Sequence, residues 1–105
     1  MNYRYGWWPY VQSMVRNYPA RMECADLGKI EQREAQAVSE AIRQTAQRED
    51  GEERLRLIRK LYWSRRRQTI SGAALDLYIS RATANRWHSD FIYLVAEAFG
   101  LYLRK

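Results

Sequence analysis

Residues that break helices are scarce in this chain, which has two prolines and five glycines among 105 residues. Both prolines, Pro9 and Pro19, lie near the N-terminus. Such scarcity disfavours an all-β fold with many tight turns. Apolar residues instead recur at spacings of three and four, which is the period of an amphipathic helix. The sequence therefore predicts an all-α fold of about five helices in a single domain that spans residues 1–105.

The N-terminal part, residues 1–49, contains two of the predicted helices. One runs from Trp7 to Pro19, where Pro19 should end it because proline disfavours helical geometry at the preceding residue. The other spans Lys29–Arg48, and its narrow apolar stripe consists of Ile30, Ala35, Val38, Ala41, Ile42 and Ala46. We expect these helices to pack across the C-terminal part or to form a homodimer interface, with Trp7 and Trp8 as a lid on the core.

The C-terminal part, residues 50–105, begins with a predicted helix from Glu52 to Trp63. Asp50 is expected to cap its start, and Glu53, three residues later, completes the pattern of a capping box. The inward side of this helix should consist of Leu55, Ile58, Leu61 and Tyr62. A basic connector, Ser64–Gln68, follows it.

Two further helices lie close together after this connector. Thr69 is expected to cap the short helix Ile70–Leu77, and Ser80 to cap the longer helix Arg81–Phe99, which Gly100 should end. A short helix, a tight turn and a second helix form the helix-turn-helix pattern. This pattern needs small residues where the helices cross and apolar residues in the turn and on the inner face of the second helix. Those positions hold Gly72, Ala73, Ala74, Ile79, Ala84, Trp87, Phe91, Leu94, Val95 and Ala98.

The opposite face of the last helix should carry Ala82, Asn85, Arg86, Ser89 and Tyr93, and its N-terminal half is polar and basic. In a helix-turn-helix, the first residues of the second helix face base edges in the major groove. An arginine can donate two hydrogen bonds to guanine, and an asparagine can pair with adenine. The candidate base-reading residues are therefore Arg81, Ala82, Asn85, Arg86 and Ser89.

The net charge of +6 lies entirely in the second half of the chain. Residues 1–50 hold seven basic and seven acidic side chains, whereas residues 51–105 hold eleven basic and five acidic ones. Between Arg54 and Arg86 there are nine basic side chains and one acid, Asp76. This asymmetry is typical of a surface that binds nucleic-acid phosphates, and a solvated helix face is the alternative. The candidate phosphate contacts are Arg59, Lys60, Arg65, Arg66, Arg67, Ser80 and Thr83.

Three runs of sequence, Leu57–Trp63, Thr69–Ala74 and Ile79–Trp87, resemble phage and prophage transcriptional activators of the RinA and ArpU type. The helix Glu34–Gln47 is similar to the helix that precedes these runs in that family, so the resemblance covers residues 30–101. It implies a C-terminal part like the promoter-reading region of bacterial sigma factors, acting in the cytoplasm of a bacterial host. The chain departs from the family at Trp87, where smaller aliphatic residues are commoner. By motif position, the family's DNA-reading residues fall on Arg81, Ala82, Asn85 and Arg86.

One cysteine, Cys24, excludes a disulfide framework, and one histidine, His88, excludes most catalytic and metal-binding schemes. His88 is expected on the flank of the last helix or at a phosphate. The expected function is sequence-specific binding to double-stranded DNA in the control of phage or prophage late genes, with no enzymatic activity, metal, cofactor or membrane segment. Two alternatives are a DNA-packaging adaptor similar to a small terminase subunit and a module that binds RNA polymerase through the aromatic stretch from Tyr3 to Tyr10.

Overall fold

The structure, a computed structural model, describes residues 5–103, which form five α-helices and no strand. The all-α prediction is therefore confirmed. Tyr3 lies outside the described residues. None of the helices in the described part is long and apolar enough to cross a membrane. The helices are α1 (Trp8–Met22), α2 (Lys29–Ala46), α3 (Gly51–Ile58), α4 (Ile70–Leu77) and α5 (Arg81–Phe99), and a π-helical turn (Arg59–Trp63) continues α3.

The core is built around α5, which packs against all four other helices. The predicted inner face of α5 is buried as far as Val95, but Ala98 is exposed, so that prediction is wrong at the C-terminal end. His88, Ile92 and Ala96 are buried as well. A helix with neighbours on several sides buries a wider arc than a single apolar stripe, which explains the three additional residues.

Pro19 does not end α1, contrary to the prediction, because the helix continues to Met22. A proline at this position cannot donate a hydrogen bond to the carbonyl of Val15, four residues earlier. The indole Nε1 of Trp63 supplies the missing donor and lies 2.7 Å from that carbonyl oxygen. A contact between α1 and the π-helical turn therefore satisfies the backbone group that proline leaves free.

The predicted capping box at the start of α3 is absent. Asp50 precedes the helix in the left-handed region, with φ of 60°, and its side chain accepts no capping hydrogen bond. The next residue, Gly51, lies against the end of α2. A Cβ atom on Gly51 would come within 2.6 Å of the carbonyl oxygen of Thr45 and 2.7 Å of that of Ala46. Close backbone approach thus determines the residue type at this corner.

The predicted helix Glu52–Trp63 has α geometry only as far as Ile58. In the π-helical turn that follows, the N–H of Ser64 donates to the carbonyl of Arg59 at 2.8 Å. A π turn contains an additional residue, which changes the direction of the side chains after it. Here it accompanies a buried Tyr62 and brings Trp63 beside α1, where its ring centroid lies 5.8 Å from that of Tyr18.

The aromatic N-terminus covers one end of the core. Trp8 is buried and Trp7 is half-buried, which confirms the prediction of a lid. Their rings lie beside those of Tyr5, Tyr93 and Tyr102. Tyr93 therefore belongs to this ring cluster, and it is half-buried on the side of α5 that also carries Asn85, Arg86 and Ser89, where the sequence predicts it.

Candidate nucleic-acid interface

Two side-chain caps define the starts of α4 and α5, as the sequence predicts. The Thr69 hydroxyl accepts a hydrogen bond from the N–H of Gly72 at 3.0 Å. The Ser80 hydroxyl accepts one from the N–H of Thr83, also at 3.0 Å. Between the two helices, Tyr78 adopts the left-handed conformation with φ of 57°. The chain thus turns within three residues and begins α5 at Arg81.

A small apolar cluster holds this helical pair against α3. Ala73 and Ala74 of α4 face Ala84 and Trp87 of α5, and Leu57 of α3 completes the cluster. Three alanines leave the space that the large indole of Trp87 fills, so the ring is accommodated in the cluster without being exposed. Leu57 lies outside the inward stripe predicted for its helix, although it is completely buried.

The candidate base-reading residues lie on one side of α5. Arg81, Ala82, Asn85 and Arg86 are exposed, and Ser89 is half-buried. Three of them, Asn85, Arg86 and Ser89, line a shallow surface depression of about 330 Å³ together with Asp90 and Tyr93. Guanidinium, amide and hydroxyl groups thus meet at one surface, where each can form hydrogen bonds with base edges.

The candidate phosphate contacts differ in how available they are. Arg59 is exposed on the π-helical turn, and the three arginines of the connector, 65–67, are exposed as well. Lys60 is half-buried, and its ammonium lies 3.4 Å from the carboxylate of Asp76. The hydroxyls of Ser80 and Thr83 lie 2.9 Å apart and hydrogen-bond to each other. The arginines are therefore the more accessible donors.

Both acids near this surface are neutralised by cations. The Gln68 amide, followed by the Lys60 ammonium, holds the pKa of Asp76 below its ordinary value. The Asp90 carboxylate lies 3.1 Å from Arg54 and 3.8 Å from Arg48. No acid within residues 5–103 forms an ion pair with the exposed arginines Arg59, Arg65, Arg66, Arg67, Arg81 and Arg86.

Arg54 has two roles in this arrangement that its sequence position does not reveal. Its guanidinium pairs with Asp90, and it also lies over the ring of Trp87, 5.3 Å from the centroid. A cation over an indole ring is attracted by the negative face of the π system. Arg54 therefore links α3 to α5 through Asp90, one of the residues that line the depression.

His88 is not at the surface, so its predicted place on the helix flank or at a phosphate is wrong. Its side chain is buried, and its Nε2 lies 2.6 Å from the hydroxyl of Tyr62. The Gln12 amide donates to the same hydroxyl at 3.0 Å. Burial lowers the pKa of His88 to about 4, so the imidazole is neutral near pH 7. It joins α1, the π-helical turn and α5, and it contributes no charge to the interface.

Among residues 5–103, no three His, Cys, Asp or Glu side chains come together in a group that could hold a metal ion. Comparison of the chain with models of protein families, with curated proteins and with solved structures finds no match.

Proposed function

We propose that the chain is a sequence-specific double-stranded DNA-binding protein that regulates transcription, with α4, the turn and α5 as its helix-turn-helix. The observation that carries the proposal is the set of exposed arginines on α5, the connector and the π-helical turn, which pair with no acid in residues 5–103. Asp76 and Asp90, the acids nearby, are paired with other cations. Such a surface attracts a polyanion.

In this proposal α5 is the recognition helix. Arg86 donates to the O6 and N7 acceptors of a guanine, and Asn85 pairs with an adenine. Arg81, the first residue of the helix, reaches base edges. The small side chains of Ala82 and Ser89 allow α5 to lie close to the bases in the major groove. Since direct contacts to base edges carry sequence information, these side chains supply the specificity.

The connector supplies most of the affinity. Arg65, Arg66 and Arg67, with Arg59 on the π-helical turn, bind backbone phosphates and displace condensed counterions. Lys60 can also bind a phosphate, but its ammonium is then shared between the phosphate and the carboxylate of Asp76. The hydroxyls of Ser80 and Thr83 lie at the start of α5, and the neighbouring N–H groups carry the positive end of the helix dipole.

The resemblance to activators of the RinA and ArpU type supports phage or prophage late genes as the targets. In that setting the protein acts in the cytoplasm of a bacterial host, as a homodimer if its site is a palindrome. A closed ring of many copies in solution, measured by mass, would instead favour a DNA-packaging adaptor. The module that binds RNA polymerase would need an exposed N-terminal patch, whereas Trp7 and Trp8 pack in the ring cluster.

Selection of bound sequences from a random duplex pool tests the proposal. We expect the wild-type chain to enrich a defined site of a few base pairs and to bind it far more tightly than the unselected pool. Failure to bind or to enrich any sequence would contradict the proposal.

Two arginine variants separate base reading from phosphate binding. Arg86→Ala should weaken binding to the selected site by about 1–3 kcal/mol and relax the preference at one base pair. Arg66→Ala should weaken binding to all sequences alike. Arg43→Ala is the matched control, because Arg43 lies on α2 and pairs with Glu40. Binding measured by fluorescence anisotropy with selected and unselected duplexes distinguishes the three outcomes.

A further inference from the structure

Tyr78 has an exposed side chain and a left-handed backbone, a combination that a residue with only a structural role would not need. Its side chain is 95% exposed, and its backbone is left-handed, with φ of 57° and ψ of 41°. A bulky side chain is disfavoured in this conformation, which glycine adopts without strain. The turn of a helix-turn-helix often contains glycine for this reason. The chain thus has a strained tyrosine where glycine would fit.

Contacts within the described part of the chain do not explain the choice of tyrosine. Within residues 5–103 the Tyr78 ring stacks on no other ring and its hydroxyl forms no hydrogen bond. Leu75, three residues earlier on α4, is also 77% exposed. A strained and unsupported side chain suggests a role in binding.

The position of Tyr78 indicates what it meets. It precedes Ser80, the cap of α5, by two residues, so their Cα atoms are at most about 7–8 Å apart. Arg81, one residue further on, is exposed and without an acidic partner in residues 5–103. Asp76 is the nearest acid along the chain, and it is paired with Lys60. The surroundings of the ring therefore favour an anionic partner over a second basic copy of the chain, and the proposed function makes duplex DNA that partner.

We infer that Tyr78 contacts the sugar-phosphate backbone of the duplex beside the bases that α5 faces. Its hydroxyl donates to a phosphate oxygen, and its ring packs on the adjoining deoxyribose. Tyrosine is one of the side chains that bind DNA phosphates, and such contacts set the register of a protein on the duplex without reading sequence. This inference rests on the proposed function, and it extends the interface from α5 to the turn before it.

The decisive variant is Tyr78→Gly, because its effects on folding and on binding are opposed. Glycine relieves the left-handed strain, so the midpoint of thermal unfolding should stay the same or rise. Binding to a random-sequence duplex of about 30 base pairs should weaken by about threefold to tenfold, the range of one hydrogen bond and a packed ring. The dependence on salt should not change, since no cation is lost. Tyr78→Phe should show only part of the weakening, and Leu75→Ala, the exposed control, should bind within about twofold of wild type.

Three results would overturn the inference, and each would have a different meaning. If Tyr78→Gly binds the duplex as well as wild type, the Tyr78 contact is absent although the proposed function stands. If the wild-type chain binds no duplex at about 50 mM salt, the proposed function fails, and the inference fails with it. If Tyr78→Gly and Leu75→Ala both dissociate a wild-type dimer in analytical ultracentrifugation, this surface is an interface between copies of the chain.

Discussion

The fold gives His88 the chemistry of a buried, neutral imidazole. Its imidazole lies in the core beside the hydroxyl of Tyr62. Burial alone lowers its pKa to about 4, from the ordinary value of 6.5. Near pH 7 this imidazole is neutral, so it adds no charge that could bind DNA. Its titration in acid should instead change the stability of the fold.

The lowered pKa predicts a loss of stability in mild acid. Above pH 6.5 the imidazole is neutral in both states, and stability is unaffected. As the pH falls from 6.5 towards about 4, only the unfolded chain binds the proton, so the free energy of unfolding should fall by up to about 3 kcal/mol. Urea unfolding at a series of pH values measures this slope, with His88→Gln as the control that lacks the titrating group. Parallel profiles for the two proteins would contradict the assignment.

At the scale of elements, the π-helical turn and α1 depend on each other. Pro19 leaves the Val15 carbonyl without its helical donor, and the Trp63 indole provides one from a segment 48 residues away. A buried carbonyl without a donor costs about 1–3 kcal/mol. The π-helical turn therefore stabilises a helix that contains an internal proline.

A double-mutant cycle tests this dependence. Trp63→Phe should lower the free energy of unfolding by about 1–3 kcal/mol beyond the lost packing, because the Val15 carbonyl then has no donor. In a Pro19→Ala background the restored N–H bonds that carbonyl, so Trp63→Phe should cost about 1 kcal/mol less. Urea unfolding of the four proteins gives the coupling energy, and simple additivity of the two changes would be the contrary result.

The cap of α5 lies at the proposed DNA surface, so folding and binding can be separated there. Aspartate caps a helix as well as serine does, and Ser80→Asp should therefore leave the unfolding midpoint unchanged. The added negative charge faces phosphate, so duplex binding should weaken by about tenfold, or about 1.4 kcal/mol. Gln32→Glu, an exposed site on α2 with the same change in charge, should leave binding unaffected. If Ser80→Asp binds the duplex as tightly as wild type, DNA does not bind at the start of α5.

At the scale of the whole molecule, unpaired positive charge is concentrated in the connector and at the start of α5. In the N-terminal helices Arg21 and Arg43 pair with acids and Arg33 lies over the ring of Phe99, whereas Arg16 and Lys29 are exposed and pair with no acid in residues 5–103. Polyanions should therefore bind mainly at the connector and the start of α5, with α1 and α2 serving mainly to bury α5.

This distribution predicts a steep dependence of DNA binding on salt. If about five cations engage phosphates, log K should fall with log salt at a slope of about −4.5. Replacing Arg65, Arg66 and Arg67 together by glutamine should reduce the slope to about −1.8, since two contacts then remain. The matched control replaces three cations of α2, Lys29, Arg33 and Arg43, and should keep the full slope. Anisotropy titrations at several salt concentrations give these values, and a binding constant insensitive to salt would exclude the phosphate contacts.

Local chemistry explains why the C-terminal helical pair was the most predictable region. Thr69, Ser80 and Gly100 act on backbone groups within four residues of themselves, so their roles follow from the order of the residues. Asp50 has a similar residue pattern but does not cap, because the approach of α2 to Gly51 determines the backbone there.

The order of the amino acids is enough to predict the helical class, the bounds of α4 and α5 and the bias of charge towards the second half. These properties depend on composition and on neighbours along the chain. The packing of the helices, in contrast, determines which charges are available and which side chains are buried. Asp90 pairs with Arg54 across 36 residues and His88 meets Tyr62 across 26, and partners so far apart come together only when α5 packs against the other helices. The same packing leaves Tyr78 exposed in a conformation suited to glycine, a conflict that appears only when backbone angle and exposure are known together.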